Sequence, residues 1–526
     1  MAAQEVTIND KREIFGWAMY DWANSAFSTT VVSVFLGPYV AGLATAVAKA
    51  EFLTRTGSAW APGSGSLVVN FLGLPIAPEA VIPFAISLSV VFQAGFLPIL
   101  GAIADYSHRR KQMLQLFANI GALATIALFF VTQNTWMLGP LFFVIANLTF
   151  GAAIVFYNAY LPDVASEEER DRVSSYGFAL GYMGGFVLLA LNLVLYLLHD
   201  TFHVSEELSV RINLASAGVW WLLFSLVTWQ RLRSRHSARE IPSGENLFSI
   251  AFKQLSETME APARLIAFLL LSPLLIFIWA PLITPFVNKL ISINQLDPEL
   301  ALLPIFIPLF GPVILLVIFL RNKARTMLET SKYLTAYLIY NDGIQTVISV
   351  AATFAAAEVA RGGLELSKTV LISVILMIQF VAFFGALLWG KLANWIGAKW
   401  AIFISLVIWA GVVIYAYGGM KGDSSSRATE FMILGATIAL VLGGSQAISR
   451  SLFAQMIPKD KEAEFFSIYE ISERGTSWLG TLVFGLAVTL FGNLRIAILL
   501  LIVFFVVGLL ILPFVNTNKA ISDAKK

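Results

Sequence analysis

The sequence predicts an all-α polytopic membrane protein, built from two six-helix halves with two further helices inserted between them, about fourteen spans in all. Three observations carry this reading. Hydrophobic residues make up 58% of the chain and charged residues 13%, roughly half the charged share (about 25%) of a soluble domain, and the mean hydropathy is +0.78. Apolar runs of about 20 residues, the length of a membrane-crossing helix, recur from end to end. A set of polar and small-residue landmarks then appears twice, in one order and at near-equal spacing.

The runs fall at about 14–42, 80–104, 112–132, 136–160, 174–198 and 213–230, then at about 264–288 and 300–320. The last six lie at about 331–357, 368–392, 399–418, 429–448, 465–491 and 494–515. With the N-terminus inside, 25 of the 35 lysines and arginines fall in cytoplasmic segments and 9 outside, which satisfies the positive-inside rule and puts both termini in the cytoplasm. No cleavable leader is expected, because the first apolar run is too long for one.

Five segments follow: a first half at 1–230, a cytoplasmic linker at 231–263, a two-helix insertion at 264–330, a second half at 331–515 and a tail at 516–526. In the linker Phe248, Phe252, Leu255 and Met259 recur at helical spacing, which suits an interfacial helix, with a flexible connector as the alternative. The insertion is rich in proline, with Pro273, Pro281, Pro285, Pro304, Pro308 and Pro312.

The repetition runs Tyr20-Asp21, Gly101-x-x-x-Asp105, Pro162 and Gly184-Gly185 in the first half. It returns as Tyr340-Asn341-Asp342, Gly390-x-x-x-Asn394, Pro458 and Gly480 in the second. Landmarks in that order predict parallel repeats, with a working centre between them.

Ionisable groups inside spans indicate where that centre lies, since each costs several kcal/mol (about 2.5–3.5 on insertion scales) unless it faces a cavity or a partner. Asp21, with Asn24 nearby, stands on the first helix of one half, and Tyr340, Asn341, Asp342 and Gln345 on the first helix of the other. Asn158 closes the fourth helix, and Gln446 and Arg450 the corresponding helix of the second half. Glu470, Glu473 and Arg474 cluster within about one turn, where a Glu470–Arg474 pair at i,i+4 leaves one acid over. Asp342 sits one residue later than Asp21 in its repeat, about 100° round the helix, so the two acids are not an equivalent dyad. Asp21 is the stronger candidate for a coupling site.

The loop GAIADYSHRRKQ, Gly101 to Gln112, resembles the signature of the major facilitator superfamily between helices two and three. Gly101 permits close helix approach, Asp105 sits at a helix end, and Arg109 and Arg110, with Lys111, can pair with acids of a neighbouring helix in one conformation only. Such pairing biases a two-state gate. Its counterpart, GKLANWIGAK, retains Gly390, Asn394 and Lys399 but replaces the acid, so a second charged gate is not predicted. GALLWGKL, from Gly385, nearly spells a phosphate-binding loop, but Leu392 stands in place of the metal-binding hydroxyl. Neither a nucleotide nor any other cofactor is predicted. The chain has no cysteine, and its four histidines form no ligand pattern. No nucleophile–base pair suggests an enzyme, and no basic block suggests a nucleic-acid partner.

YDWANSAFS, FYNAYLPDVA, AYLIYNDGIQTV and SRSLFAQMIPKDKEAEFFSIYE, read in order, resemble the vacuole-effluxer-like family, a branch of the major facilitator superfamily. The resemblance covers both halves and departs at the 264–330 insertion. It implies a major facilitator fold and alternating-access transport of a small polar metabolite, an amino acid above all, outward across a bacterial inner membrane, with protons as the candidate coupling ion. The partners are then the lipid bilayer and a small-molecule substrate. A lipid translocator and a non-transporting scaffold or receptor on the same fold are the alternative readings. The sequence does not specify an oligomeric state.

Overall fold

The computed structural model describes residues 8–60, 68–71, 74–76, 78, 81–106, 109–234, 327–459, 461–474, 479–481, 483–484, 487, 491 and 493–525. The interfacial helix expected in the linker and the two inserted spans lie outside the described residues.

The first half opens with one continuous rod. Helix α1 (Lys11–Ala26) starts on the Asp10 side chain, which accepts the Arg12 N–H. It passes through a π-helical stretch at Phe27–Phe35 into α2 (Leu36–Thr56), which ends on a left-handed Gly57. The wide turn is supported from the side chains, since the Ser33 hydroxyl donates to the Ser28 carbonyl, five residues back, at 2.8 Å. The expected first span stops at 42, but the helix runs on to Thr56 as an extension beyond the apolar stretch. A short hairpin of β1 (Val69–Phe71) and β2 (Leu74–Ile76) precedes α3 (Val81–Tyr106). Then come α4 (Arg110–Ala127), α5 (Leu138–Ala159), the single turn α6 (Leu161–Val164), α7 (Arg170–Leu197) and α8 (Glu206–Arg231).

The second half repeats the plan with α9 (Leu328–Ala356), α10 (Lys368–Ile396), α11 (Ala398–Gly418), α12 (Ser424–Gln455) and α13 (Glu462–Arg474). The last crossing is made by α14 (Leu494–Leu500) and α15 (Ile502–Ile511), and a short α16 (Thr517–Ala524) ends the chain. Among the described residues nine helices are long and apolar enough to cross a membrane. Helix α9 falls short of that measure because it carries charged and amide residues that an apolar helix would lack.

The halves meet along two matched seams. Helix α13 packs on α3, and α10 packs on α7. At the first seam Gly101 lies against the backbone of Ala463, and at the second Gly390 lies against Ser175 and Asp171. The two glycines of the repeated motif therefore do the same job, each letting one half's helix touch the other's.

Within the first half, the glycine face of α7 seats α1. Gly177 faces Asp21, Gly181 faces Ser25, Gly184 faces the Trp22 backbone and Gly185 faces Thr29. A methyl group at Gly184 would run into the Trp22 carbonyl, whereas Gly42 in α2 has open space around it. Gly184→Val should therefore lower thermal stability in detergent by about 1–3 kcal/mol, the usual cost of overpacking, while Gly42→Ala leaves it unchanged or slightly raised. Equal melting curves for the two variants would refute this account of the α1–α7 seam.

Candidate functional site

Between the halves lies a cavity of about 440 Å³, within the usual range of small-molecule sites, roughly 300–1,000 Å³. Helices α1, α3, α5, α7, α9, α10, α12 and α13 all contribute to its lining. The π-helical stretch supplies Ser28, Thr29, Val32 and Ser33 to one wall, so the widened turn faces the site. Amides project from the surrounding helices: Asn24, Asn147, Gln345, Gln379 and Gln446. Phe143, Phe150, Ile154 and Phe178 form an apolar side.

The charged groups are gathered at the floor. The Arg450 guanidinium, on α12 of the second half, donates to Asp21 of the first half at 3.4 Å and to the side-chain Oδ1 of Asn158 at 3.3 Å. Two further bonds go to the hydroxyl and the carbonyl of Ser174, both at 2.9 Å. Trp17, Tyr157 and Phe178 surround the cation, with ring centroids at 5.0, 5.5 and 4.2 Å, close enough for cation–π attraction. Asp21 also accepts the Tyr157 hydroxyl at 2.7 Å. The Asn158 amide donates to Glu470 of α13 at 2.8 Å. One cation and two carboxylates thus meet across the interface, linked by one asparagine.

Aromatic packing fixes the geometry of this floor. Trp17 stacks on Tyr157 at 4.5 Å and donates its indole N–H to the Tyr157 carbonyl. On the other side Tyr469, which lines the cavity, stacks on Tyr337 at 4.2 Å. A buried guanidinium costs several kcal/mol unless its donors are met. Here the bonds and rings around Arg450 all come from the first half, so the interface itself keeps the cation tolerable.

A second layer lies between the floor and the N-terminal face. Asp105, at the end of α3, accepts the N–H groups of Ala463 and Glu464 at 3.0 and 2.9 Å, so a carboxylate caps the N-terminus of α13 in the other half. Arg110 holds Asp105 and Asp163 at 3.1 Å each and reaches Glu462 at 3.4 Å. At the opposite seam Ser451 donates to Asp171, Arg170 donates to the Ala454 carbonyl at 3.3 Å, and Lys525, just past α16, pairs with Glu167 at 2.9 Å. In this conformation the halves are fastened below the cavity on the side that holds the N-terminus, and the lining climbs away from it to Ser33 and Ile86.

Residues 9–280 and 310–525 match the family described as vacuole effluxer Atg22 like. The chain belongs to that family. The unmatched stretch falls inside the insertion expected at 264–330. An uncharacterized MFS-type transporter, YxiO of Bacillus subtilis (strain 168), is 26% identical, with 95% of this chain and 94% of that protein covered. Autophagy-related protein 22-1 of Penicillium rubens is 24% identical over 98% of this chain and 91% of its own. In three dimensions the chain is similar to the human organic anion transporter MFSD10, with a TM-score of 0.59, 12% identity and 95% and 99% coverage. It is also similar to a bacterial homologue of the iron transporter ferroportin, with a TM-score of 0.55, 12% identity and 96% and 98% coverage. The fold is that of major facilitator transporters, and this Atg22-like chain is a transporter of that type.

Of the residues singled out in the sequence, Asp21, Asn24, Asn158, Gln345, Gln446, Arg450 and Glu470 line the cavity. The others do not. The Tyr340 hydroxyl is spent on Ser449, 2.6 Å away, and Asn341 is buried beside it in α9. Asp342 turns away from the cavity and accepts the Gly480 N–H at 2.8 Å; aligned on Tyr20 and Tyr340, it stands at the place of Trp22 rather than of Asp21. Glu470 faces Asn158 of the first half. The side chains of Glu473 and Arg474 lie outside the described residues.

Of the gate residues singled out in the sequence, Gly101, Asp105, Arg110 and Gly390 bridge the halves. Arg109 precedes α4 and is exposed, as is Asn394. Lys399 binds the Pro513 and Val515 carbonyls of its own half, at 2.7 and 2.9 Å. Sequence reasoning missed Gln379 and Asn147, although each is a lone amide in an otherwise apolar run, the same signal that marked Asp21.

Because the chain contains no cysteine, a single reporter introduced as Ile154→Cys can test the fastening. Charge-assisted bonds contribute about 1.5–3 kcal/mol each, so Asp105→Ala should raise labelling of that reporter from the N-terminal side about tenfold or more. An unchanged labelling rate would show that the α3–α13 contact does not hold this side shut.

Proposed function

We propose that the protein is an alternating-access exporter of a small zwitterion, an amino acid with an apolar side chain, working in a bacterial inner membrane with both termini in the cytoplasm. The observation that carries this reading is the Asp21–Arg450 pair on the cavity floor, one member from each half. An amino acid offers the two charges this pair lacks when separated. Its carboxylate suits the planar fork of Arg450, and its ammonium suits Asp21, with Glu470 within the same floor. Charge balance is preserved on entry, so neither buried ion is left uncompensated. The apolar side of Phe143, Phe150, Ile154 and Phe178 then receives the side chain.

The same exchange links binding to movement. In the empty cavity Asp21 and Arg450 hold the halves together directly. A substrate that bridges them changes what each conformation gains from the contact, and only such a difference shifts a two-state equilibrium. The size of the cavity speaks against a two-chain lipid as cargo. The outward direction rests on the family description.

A thermal-shift panel of amino acids, peptides and lipids on the purified chain tests the reading. A bound amino acid at about 100 times its Kd should stabilise the protein by roughly 2.7 kcal/mol. Arg450→Lys keeps the charge but loses the fork, and should weaken binding about tenfold or more. Arg450→Gln should abolish it. A shift with lipids alone would favour the translocator reading, and no shift with any solute the receptor reading.

A further inference from the structure

Asp342 is the buried acid that the cavity does not use. It lies in the middle of α9 with 1% of its surface exposed. One carboxylate oxygen accepts the Gly480 N–H, and the other meets no hydrogen-bond partner. One turn further on, Thr346 is fully buried, and its hydroxyl is also without a partner. Gly480 sits against both, so close to Thr346 that no Cβ would fit.

No charge among the described residues faces the acid. On α12, Arg450 is held by Asp21 and Ser174. On α13, Glu470 faces the cavity, Glu462 is held by Arg110, Glu464 lies in the first turn at the Asp105 cap, and the side chains of Glu473 and Arg474 lie outside the described residues. Arg495 of α14 is bound to carbonyls at the far end, including Met420 at 2.8 Å. Helix α15 has no titratable residue, and α10 carries lysines only near its ends, Lys368 and Lys391. On α9 itself, Glu329 and Lys332 pair with each other at the N-terminal end. Lys519 and Asp523 belong to α16, which follows the last crossing.

An ionised carboxylate so placed would lose its hydration with no opposite charge among the described residues to replace it, a far larger loss than that of a neutral hydroxyl without a partner, so such a group neutralises. A metal ion would not serve, since a hard cation takes six or more oxygens and this site offers a carboxyl and a hydroxyl pressed against a glycine. We propose that Asp342 is a proton-carrying acid outside the cavity. It holds a proton in the conformation closed on the N-terminal side, and releases it when α13 shifts on α9 and admits water to the carboxyl. Substrate and proton then occupy separate sites, one proton moving per cycle, while Asp21 stays paired with Arg450 or with substrate. The role in coupling rests on the transport reading above; the protonated state does not.

Infrared difference spectroscopy on the full chain in lipid tests the state without any substrate. Near neutral pH the wild type should show a protonated-carboxyl band that shifts in heavy water, persists in Asp21→Asn and is lost in Asp342→Asn. A wild type without such a band, or a band that survives Asp342→Asn, overturns the proposal. Coupling is read in proteoliposomes by amino-acid counterflow and by uptake against an imposed pH difference. At one proton per substrate the wild type should accumulate about tenfold per pH unit. Asp342→Asn should retain counterflow and lose that accumulation, and accumulation that persists in it overturns the proposal. If the wild type moves no amino acid, the substrate reading fails and the spectroscopic result still decides the protonation state.

Discussion

A guanidinium placed between two halves of a membrane protein must be compensated in every conformation the protein visits, and the site is organised around that demand. Arg450 belongs to the second half, yet Asp21, Asn158, Ser174 and the rings of Trp17, Tyr157 and Phe178 all belong to the first. When the halves separate at this level, the cation loses most of its partners together. Breaking a buried pair by removing one member costs about 3–5 kcal/mol, so separation requires a replacement anion, water or both. The geometry therefore makes the floor of the cavity the place where a ligand can decide which conformation is favoured.

The repeat supplies the frame and departs from symmetry where the chemistry begins. Gly181 lies against Ser25 and the Asp21 carbonyl, and Gly480 lies against Thr346 and the Asp342 carbonyl, so in each half a glycine seats the first helix. Aligned on Tyr20 and Tyr340, the counterpart of Asp21 is Asn341, and Asp342 is aimed at α13 instead of at the interface. One residue of offset, about 100° round a helix, separates an acid that pairs across the halves from one sealed within a half. The gate motif follows the same rule. Gly101 and Gly390 serve both seams, but the acid and its arginine survive only in the first, where Asp105 caps α13.

Much of this was legible in the sequence. Span lengths and landmark order yielded the two halves, because membrane length and repeat spacing are one-dimensional quantities. Ionisable and amide residues in apolar runs picked out Asp21, Asn158, Gln446, Arg450 and Glu470, because each is costly unless it faces a cavity or a partner. The direction a side chain takes was harder to read. Tyr340 and Asp342 are as polar and as deep as Asp21, yet one bonds Ser449 and the other Gly480. Lys399 was similarly ambiguous: a cation at the right place in the motif binds carbonyls of its own half when no acid stands opposite. The partners of Arg110 were half legible, since a basic cluster implies acids without naming Asp163 or Glu462.

Helix α13 joins the two layers mechanically. It carries Glu462 and the capped N-terminus at the fastening layer, and Glu470 at the cavity floor, two turns or about 12 Å further on. In the first half, Asn158 and Asp163 stand close together where α5 passes into α6. A helix is stiff over two turns, so α13 cannot leave Asn158 while remaining capped by Asp105 without bending between them. Floor and fastening thus open as one step, and the free energy holding this side shut is shared between them. With charge-assisted bonds of about 1.5–3 kcal/mol each, a ligand that weakens the floor by a single bond already lowers the stability of the fastening it never touches.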